Sequence, residues 1–193
     1  FRRPRVLLPV IHCLDSVQTK KQARLVIECG ADGVFLINQG GLDARSVMIE
    51  ALWLAGNGVP FVGVNLLGSG LSAVLRWCGD SYVAAIWTDN PGSSGDVDAF
   101  CRQRAAARLG RPRLLFGGVA FKYQRPVDDV GVAALEAARA GVEVITTSGP
   151  ATGRPPTAEK VATMRAAIGD HALAIASGIT PENVGLFLPH VDA

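Results

Sequence analysis

Phe61-Val-Gly-Val-Asn-Leu-Leu67 carries a single polar side chain, is closed by Gly68 and is followed by an amphipathic stretch over 71–78. A strand exposed on one face would alternate polar and apolar residues. This run does not, and it suits a parallel strand covered on both faces. The same device recurs at Val6–His12, Gly33–Asn38, Tyr82–Asp89, Arg113–Lys122, Val142–Ser148 and Leu173–Ser177. Between these runs the periodicity predicts helices over Ser16–Cys29, Ala44–Ala55, Leu71–Cys78, Val97–Leu109, Val130–Ala140, Thr157–Ile168 and Pro181–Leu188. Strand starts fall about 20 to 32 residues apart, the length of a βα unit. Gly30, Gly56, Gly79, Gly110, Gly141 and Gly169 stand where helices should stop.

Seven βα units, with Val191-Asp192-Ala193 reading as the opening of an eighth strand, predict an α/β chain of the (β/α)₈ TIM-barrel class. At 193 residues the chain is read as one barrel domain, 1–193, lacking most of its eighth unit. The alternative is a doubly wound open sheet, but no G-x-G-x-x-G follows the first strand. An incomplete barrel would expose strand edges, so a missing segment or a second copy of the chain is expected to cover them.

The composition is 49% hydrophobic and only 19% charged, which excludes intrinsic disorder. A net charge of +2, with no basic run beyond Arg2, Arg3 and Arg5, gives no nucleic-acid footprint. No apolar stretch has the length of a membrane helix, and Phe1-Arg-Arg-Pro-Arg5 lacks the features of a secretion signal. A soluble, cytoplasmic protein without nucleic-acid or membrane partners is expected. Cys13, Cys29, Cys78 and Cys101 are widely spaced and there are three His, so no metal, disulfide or cofactor is expected either.

Barrel chemistry gathers at the C-terminal ends of the strands. Polar residues end almost every run: His12 and Cys13, Asn38 and Gln39, Asn65, Thr88-Asp89-Asn90, Lys122, Thr146-Thr147-Ser148 and Ser177. Any one of them could merely begin a loop or cap a helix. The ring as a whole points to a pocket. Its sharpest part is Ala176-Ser177-Gly178-Ile179-Thr180-Pro181-Glu182-Asn183-Val184, where Thr180 is expected to cap a helix opening at Pro181. Free amides at a helix start, approached across a glycine, bind oxyanions, and barrels bind phosphate after strands seven and eight. A well-capped helix without a ligand would use the same residue types. The loop Thr147-Ser148-Gly149-Pro150-Ala151-Thr152-Gly153-Arg154-Pro155-Pro156 adds hydroxyls, glycines and a guanidinium beside it, or serves as a rigid proline loop. Lys122 is read as a base, a Schiff-base amine, a cation balancing a phosphate, or an exposed structural lysine. Asp89 and His12 are the proton-transfer candidates, with a core histidine the plain alternative for His12.

Val64-Asn65-Leu66-Leu67, Phe121-Lys122, Thr147–Pro156 and Ala176–Val184 together resemble the BtpA family, TIM barrels named after a photosystem I biogenesis factor and grouped with ribulose-phosphate-binding barrels. Val10-Ile11-His12 and Cys29-Gly-Ala-Asp-Gly33 are similar to its first two strands. The resemblance implies the barrel and a phosphate site for a small phosphorylated ligand. The chain departs from the family in strand five, which lacks an acidic residue and a His after the Lys, and at Asn38-Gln39, where the family is acidic. Two functions follow as expectations. One is an enzyme acting on a phosphorylated sugar, nucleotide or heterocycle. The other is a binding or assembly factor that keeps the pocket without turnover. The strand-seven loop is also similar to those of phosphoribosylanthranilate isomerase and thiamine phosphate synthase. The isomerase needs an Asp on strand five that this chain does not have there.

Overall fold

The computed structural model describes residues 5–91, 94–106 and 113–193. Strands and helices alternate along the described chain, which divides into two compact units. Over the described residues, the first comprises those of 6–88 and 98–114, and the second those of 89–97 and 115–193 with Arg5.

In the first unit, β1 (Val10–His12), β2 (Val34–Ile37), β3 (Val62–Asn65) and β4 (Ala85–Thr88) pair in that order, all parallel. Leu36 pairs with Val64, and Val64 with Ile86, so the register stacks branched side chains at equivalent heights. All residues of β2 and β3 are buried, as their near-continuous apolar runs require. Helices α1 (Ser16–Glu28), α2 (Ala44–Gly56) and α3 (Leu71–Cys78) follow β1 to β3. α1 and α2 start where Asp15 and Asp43 accept the amides of Gln18 and Ser46. α4 (Ser94–Ala106) spans the boundary between the units; Gly110 and the end of the helix expected over 97–109 lie outside the described residues.

The Asp43 cap gives a pH prediction. The Ser46 amide holds the Asp43 carboxyl below its ordinary pKa. A depressed carboxyl stabilises the fold above its unfolded pKa and loses that contribution as pH falls through the folded one. The acid limb of the stability-versus-pH curve should therefore be shallower in Asp43→Asn than in the parent, with the two curves differing least at the most acidic pH. Thermal melts between pH 2 and 7, roughly the range of carboxylate titration, check this.

In the second unit, which takes β5 (Leu114–Gly118) from Leu115 onward, β5 pairs with β6 (Val144–Thr147) and β6 with β7 (Ala172–Ile175), again in parallel. α5 (Val130–Arg139) and α6 (Ala158–Ile168) pack against each other. Asp129 caps α5 by accepting two amides, and Thr157 caps α6 by accepting from Lys160 N. Val191–Ala193, expected to open an eighth strand, form none, but their backbone bonds β7. Ile175 N donates to Ala193 O at 2.9 Å, and Asp192 N to Leu173 O at 2.8 Å. Arg165 fixes this end, donating to His190 O, Gly169 O and His171 O and pairing with Asp192, which also accepts from Leu173 N.

Two expectations are corrected. The segment after β7 is no α-helix: 181–183 are turns and Val184–Leu186 is a single 3₁₀ turn. Asn183 explains this, because its Oδ1 accepts from Thr180 N and its Nδ2 donates to Gly178 O, folding the segment through its own side chain. The run expected over 113–122 also ends early, at Gly118, so Lys122 lies in the following turn rather than at the strand's end.

Candidate functional site

The predicted residues fall in both units. In the first, His12 closes β1 with an exposed side chain. Asn38 spends both ends of its amide on Leu67, accepting from its N at 2.6 Å and donating to its O at 3.2 Å. It thus bridges the loops after β2 and β3 as a peptide group would. Asn65 is buried at the end of β3. Cys13 is also fully buried, and burial raises its thiol pKa.

The second unit holds the rest, arranged on three strand-end loops. After β5, Gln124 acts as a staple. Its Oε1 accepts from Phe121 N, while Nε2 donates to Asp89 O at 2.5 Å and to Gly118 O at 2.9 Å. Asp89 is thereby held against β5, so closely that a Cβ on Gly118 would lie 2.2 Å from Asp89 O. Asp89 and Lys122 both line a cavity of about 750 Å³, with Tyr123, Gln124 and Arg125 from the same loop and Glu136 from α5. Val97, Val119, Ala133, Ala137 and Val142 give that cavity an apolar wall. Lys122 Nζ lies 5.4 Å from the Phe121 ring centroid, and its backbone N donates to Ser148 Oγ at 2.8 Å.

The loops after β6 and β7 are interlocked. Ser177 Oγ accepts from Gly153 N at 2.8 Å, and a Cβ on Gly178 would lie 2.3 Å from Pro155 N. Gly149 abuts the same turn, a Cβ there falling 2.3 Å from Arg154 O. Thr152 is reached from the β5 loop by the Tyr123 hydroxyl, 3.4 Å from Thr152 Oγ1. Among the described residues, the backbone N–H groups of Gly178 and Ile179 take no protein partner, whereas that of Thr180 is used by Asn183. Thr147 is fully buried and its hydroxyl has no hydrogen-bond partner. Ser148 Oγ donates to Gly149 O.

The structure therefore brings Asp89 and Lys122 to one cavity, and Gly153, Ser177, Gly178 and Asn183 to one pair of loops. The Lys122 N–Ser148 Oγ bond and the Tyr123–Thr152 contact link the β5 loop to the β6 loop. Thr147, Ser148, Gly149, Ser177 and Gly178 do not line the cavity.

Two features escaped the sequence. Ala120 (φ 46°), Tyr123 (φ 65°) and Ser177 (φ 81°) are non-glycine residues in the left-handed region, all on these loops. Such strain concentrates at functional sites, but nothing in an Ala, Tyr or Ser code announces it. The other is Lys160, whose half-buried ammonium donates to Ala120 O at 2.5 Å and Ser148 O at 2.7 Å. Its position in an amphipathic helix reads as solvent-facing, and only the fold directs it inward.

No family model matches the chain, and no curated protein matches it either. Solved structures do. The native KDPGal structure superposes with a TM-score of 0.69 at 14% identity, over 98% of this chain and 81% of its own. The phosphoribosyl anthranilate isomerase of Thermus thermophilus gives 0.63 at 14% identity, over 95% and 82%. The 2-keto-3-deoxy-6-phospho-gluconate aldolase of Zymomonas mobilis ATCC 29191 gives 0.66 at 13%, over 96% and 78%. These likenesses show the fold. The chain has the α/β fold of TIM-barrel enzymes. Among the described residues, no helix of this barrel-type chain is long and apolar enough to cross a membrane.

Proposed function

We propose that the chain is an enzyme acting on a small phosphorylated compound, a sugar, nucleotide or heterocycle, whose phosphate is held by the loops after β6 and β7. The observation that carries this reading is the Ser177–Gly153 hydrogen bond with Gly178 pressed on Pro155, beside which, among the described residues, the Gly178 and Ile179 amides take no protein partner. Unpartnered amides beside glycine are donors for an oxyanion. Because Pro181–Leu188 does not form a helix, the site rests on these loop amides and hydroxyls and draws nothing from a helix dipole. Thr147, Ser148, Gly149, Thr152, Thr180 and Asn183 shape the loops.

Lys122 and Asp89 supply the reactive groups on this reading. Both line the cavity next to the phosphate loops, one as a cation or amine, the other as a carboxylate for proton transfer. Two of the structural neighbours are by description an isomerase and an aldolase of phosphorylated compounds, which supports the substrate class. The BtpA-like character of the Thr147–Pro156 and Ala176–Val184 loops belongs to the same proposal.

Phosphate binding contributes affinity common to ground and transition states, so loss of a reactive group should separate from loss of binding. Lys122→Ala is expected to reduce turnover of the best phosphorylated substrate by about 100-fold or more while leaving its affinity for inorganic phosphate within about threefold. A panel of phosphorylated sugars and heterocycles, assayed first by thermal shift and then for conversion, makes the measurement. Binding without conversion of any member would favour the assembly-factor alternative. A full absence of thermal shift would remove the phosphate site itself.

A further inference from the structure

We propose that Lys160 is the positioning residue that holds the β5 and β6 loops in register for the anion site, an inference that rests on the phosphate reading above. Its aliphatic stem runs from the first turn of α6, and its ammonium ends between two carbonyl oxygens of different loops, Ala120 O and Ser148 O. Nothing in the stability of α6 calls for a cation there. The first turn of a helix disfavours positive charge, and Glu159 already occupies that turn with the favourable sign. Burial lowers the Lys160 pKa, which marks the cost of desolvating the ammonium. Among the described residues no carboxylate pairs with it.

What the ammonium does instead is define geometry. Ala120 sits at φ 46°, a left-handed conformation that an alanine keeps only when its surroundings over-determine it. The charge-assisted bond to Ala120 O supplies that constraint. Two residues further on, Lys122 N donates to Ser148 Oγ, and Ser148 O is the other atom Lys160 holds. Ala120, Lys122 and Ser148 are thus closed into one ring of contacts. Ser148 leads into Gly149, which abuts Arg154 O, and the next residue, Pro155, is the one Gly178 presses against. Lys160 is the root of the chain of contacts that ends at the Gly178 amide. It acts through the loops, and its unpaired positive charge adds to their attraction for an oxyanion.

The test is calorimetric titration of inorganic phosphate into the full chain and into Lys160→Met, Lys160→Gln and Lys160→Arg, with Arg165→Ala as a lesion elsewhere in the same unit. Met should weaken phosphate binding about tenfold or more, Gln by less, and Arg should recover to within about threefold of the parent. Arg165→Ala, although destabilising, should keep parental affinity. If Lys160→Met does not fold, the Gln and Arg pair decides: equal affinity of Gln and parent overturns the proposal. Parental affinity in Met overturns it as well, as would an equal loss in Arg165→Ala, which would make the effect one of general stability. If the parent itself binds no phosphate, the functional reading fails first, and that outcome is distinct from any contrast among the variants.

Discussion

Arg113→Ala should lower the stability of the protein by about 3–4 kcal/mol, a drop of about 10 °C in Tm for a chain of this size. Arg113 is 2% exposed. Its Nε donates to Val83 O at 3.1 Å, and one terminal nitrogen donates to Gly79 O at 2.5 Å, Ser81 O at 3.0 Å and Cys78 O at 3.4 Å. These carbonyls include the last ones of α3 and its following turn, where a cation is favoured. Truncation leaves them buried without a donor and leaves a void where the stem lay. Burial also pushes the neighbouring Cys78 thiol up to about 11, against the pull of the Arg113 guanidinium. Arg113→Lys should recover only part of the loss, because one ammonium cannot reproduce the planar fork of donors. A Tm within about 2 °C of the parent for the alanine variant would contradict the account of this clamp.

The second large effect is expected at Gly178. Gly178→Ala meets two obstacles: a φ of +73° and a Cβ 2.3 Å from Pro155 N. The left-handed conformation alone costs about 1–2 kcal/mol, and displacing backbone from a packed contact adds about 1–3 kcal/mol. Gly153 provides the control, since it has a similar φ of +77° but open space around its Cβ position. Gly153→Ala should therefore cost only about 1–2 kcal/mol. Moving Pro155 also disturbs the Ser177–Gly153 bond, so Gly178→Ala should lose phosphate affinity more severely than Gly153→Ala does. Equal melting temperatures for the two variants would show that the close approach of the β6 and β7 loops is not what Gly178 serves.

The legibility of the fold and of the site differ for physical reasons. Strand bodies such as Val34–Ile37 and Val62–Asn65 are buried on every residue, and that demand leaves a continuous apolar run in the code. Leu71–Cys78 is legible to the residue at its end because Gly79 stands where the helix stops, and the structure adds Gly70 as its N-cap. Pro181–Leu188 misled because Thr-Pro-Glu-Asn carries the signals of a helix start. The Asn183 side chain instead closes a local turn, and Gly185 and Pro189 leave little room for a helix to propagate. Lys122 reads as a strand end because the apolar run continues through Val119 and Phe121. Those side chains are buried in a turn, which composition alone cannot distinguish from a strand. Ser177, Gly178 and Gly153 were visible as loop residues, whereas their mutual contact depends on two loops meeting in space. Arg113 and Lys160 were hidden most completely. Each is a cation turned inward onto carbonyl oxygens, and a single sequence normally assigns such residues to solvent.

Amide nitrogen–proton correlation spectra recorded while inorganic phosphate is added test the central claim most directly. The largest shifts should fall on the backbone amides of Gly178 and Ile179, with Gly153 and Ser148 moving with them, and should saturate together at one Kd. Saturable shifts centred on other residues, or spectra unchanged at millimolar phosphate, would contradict it.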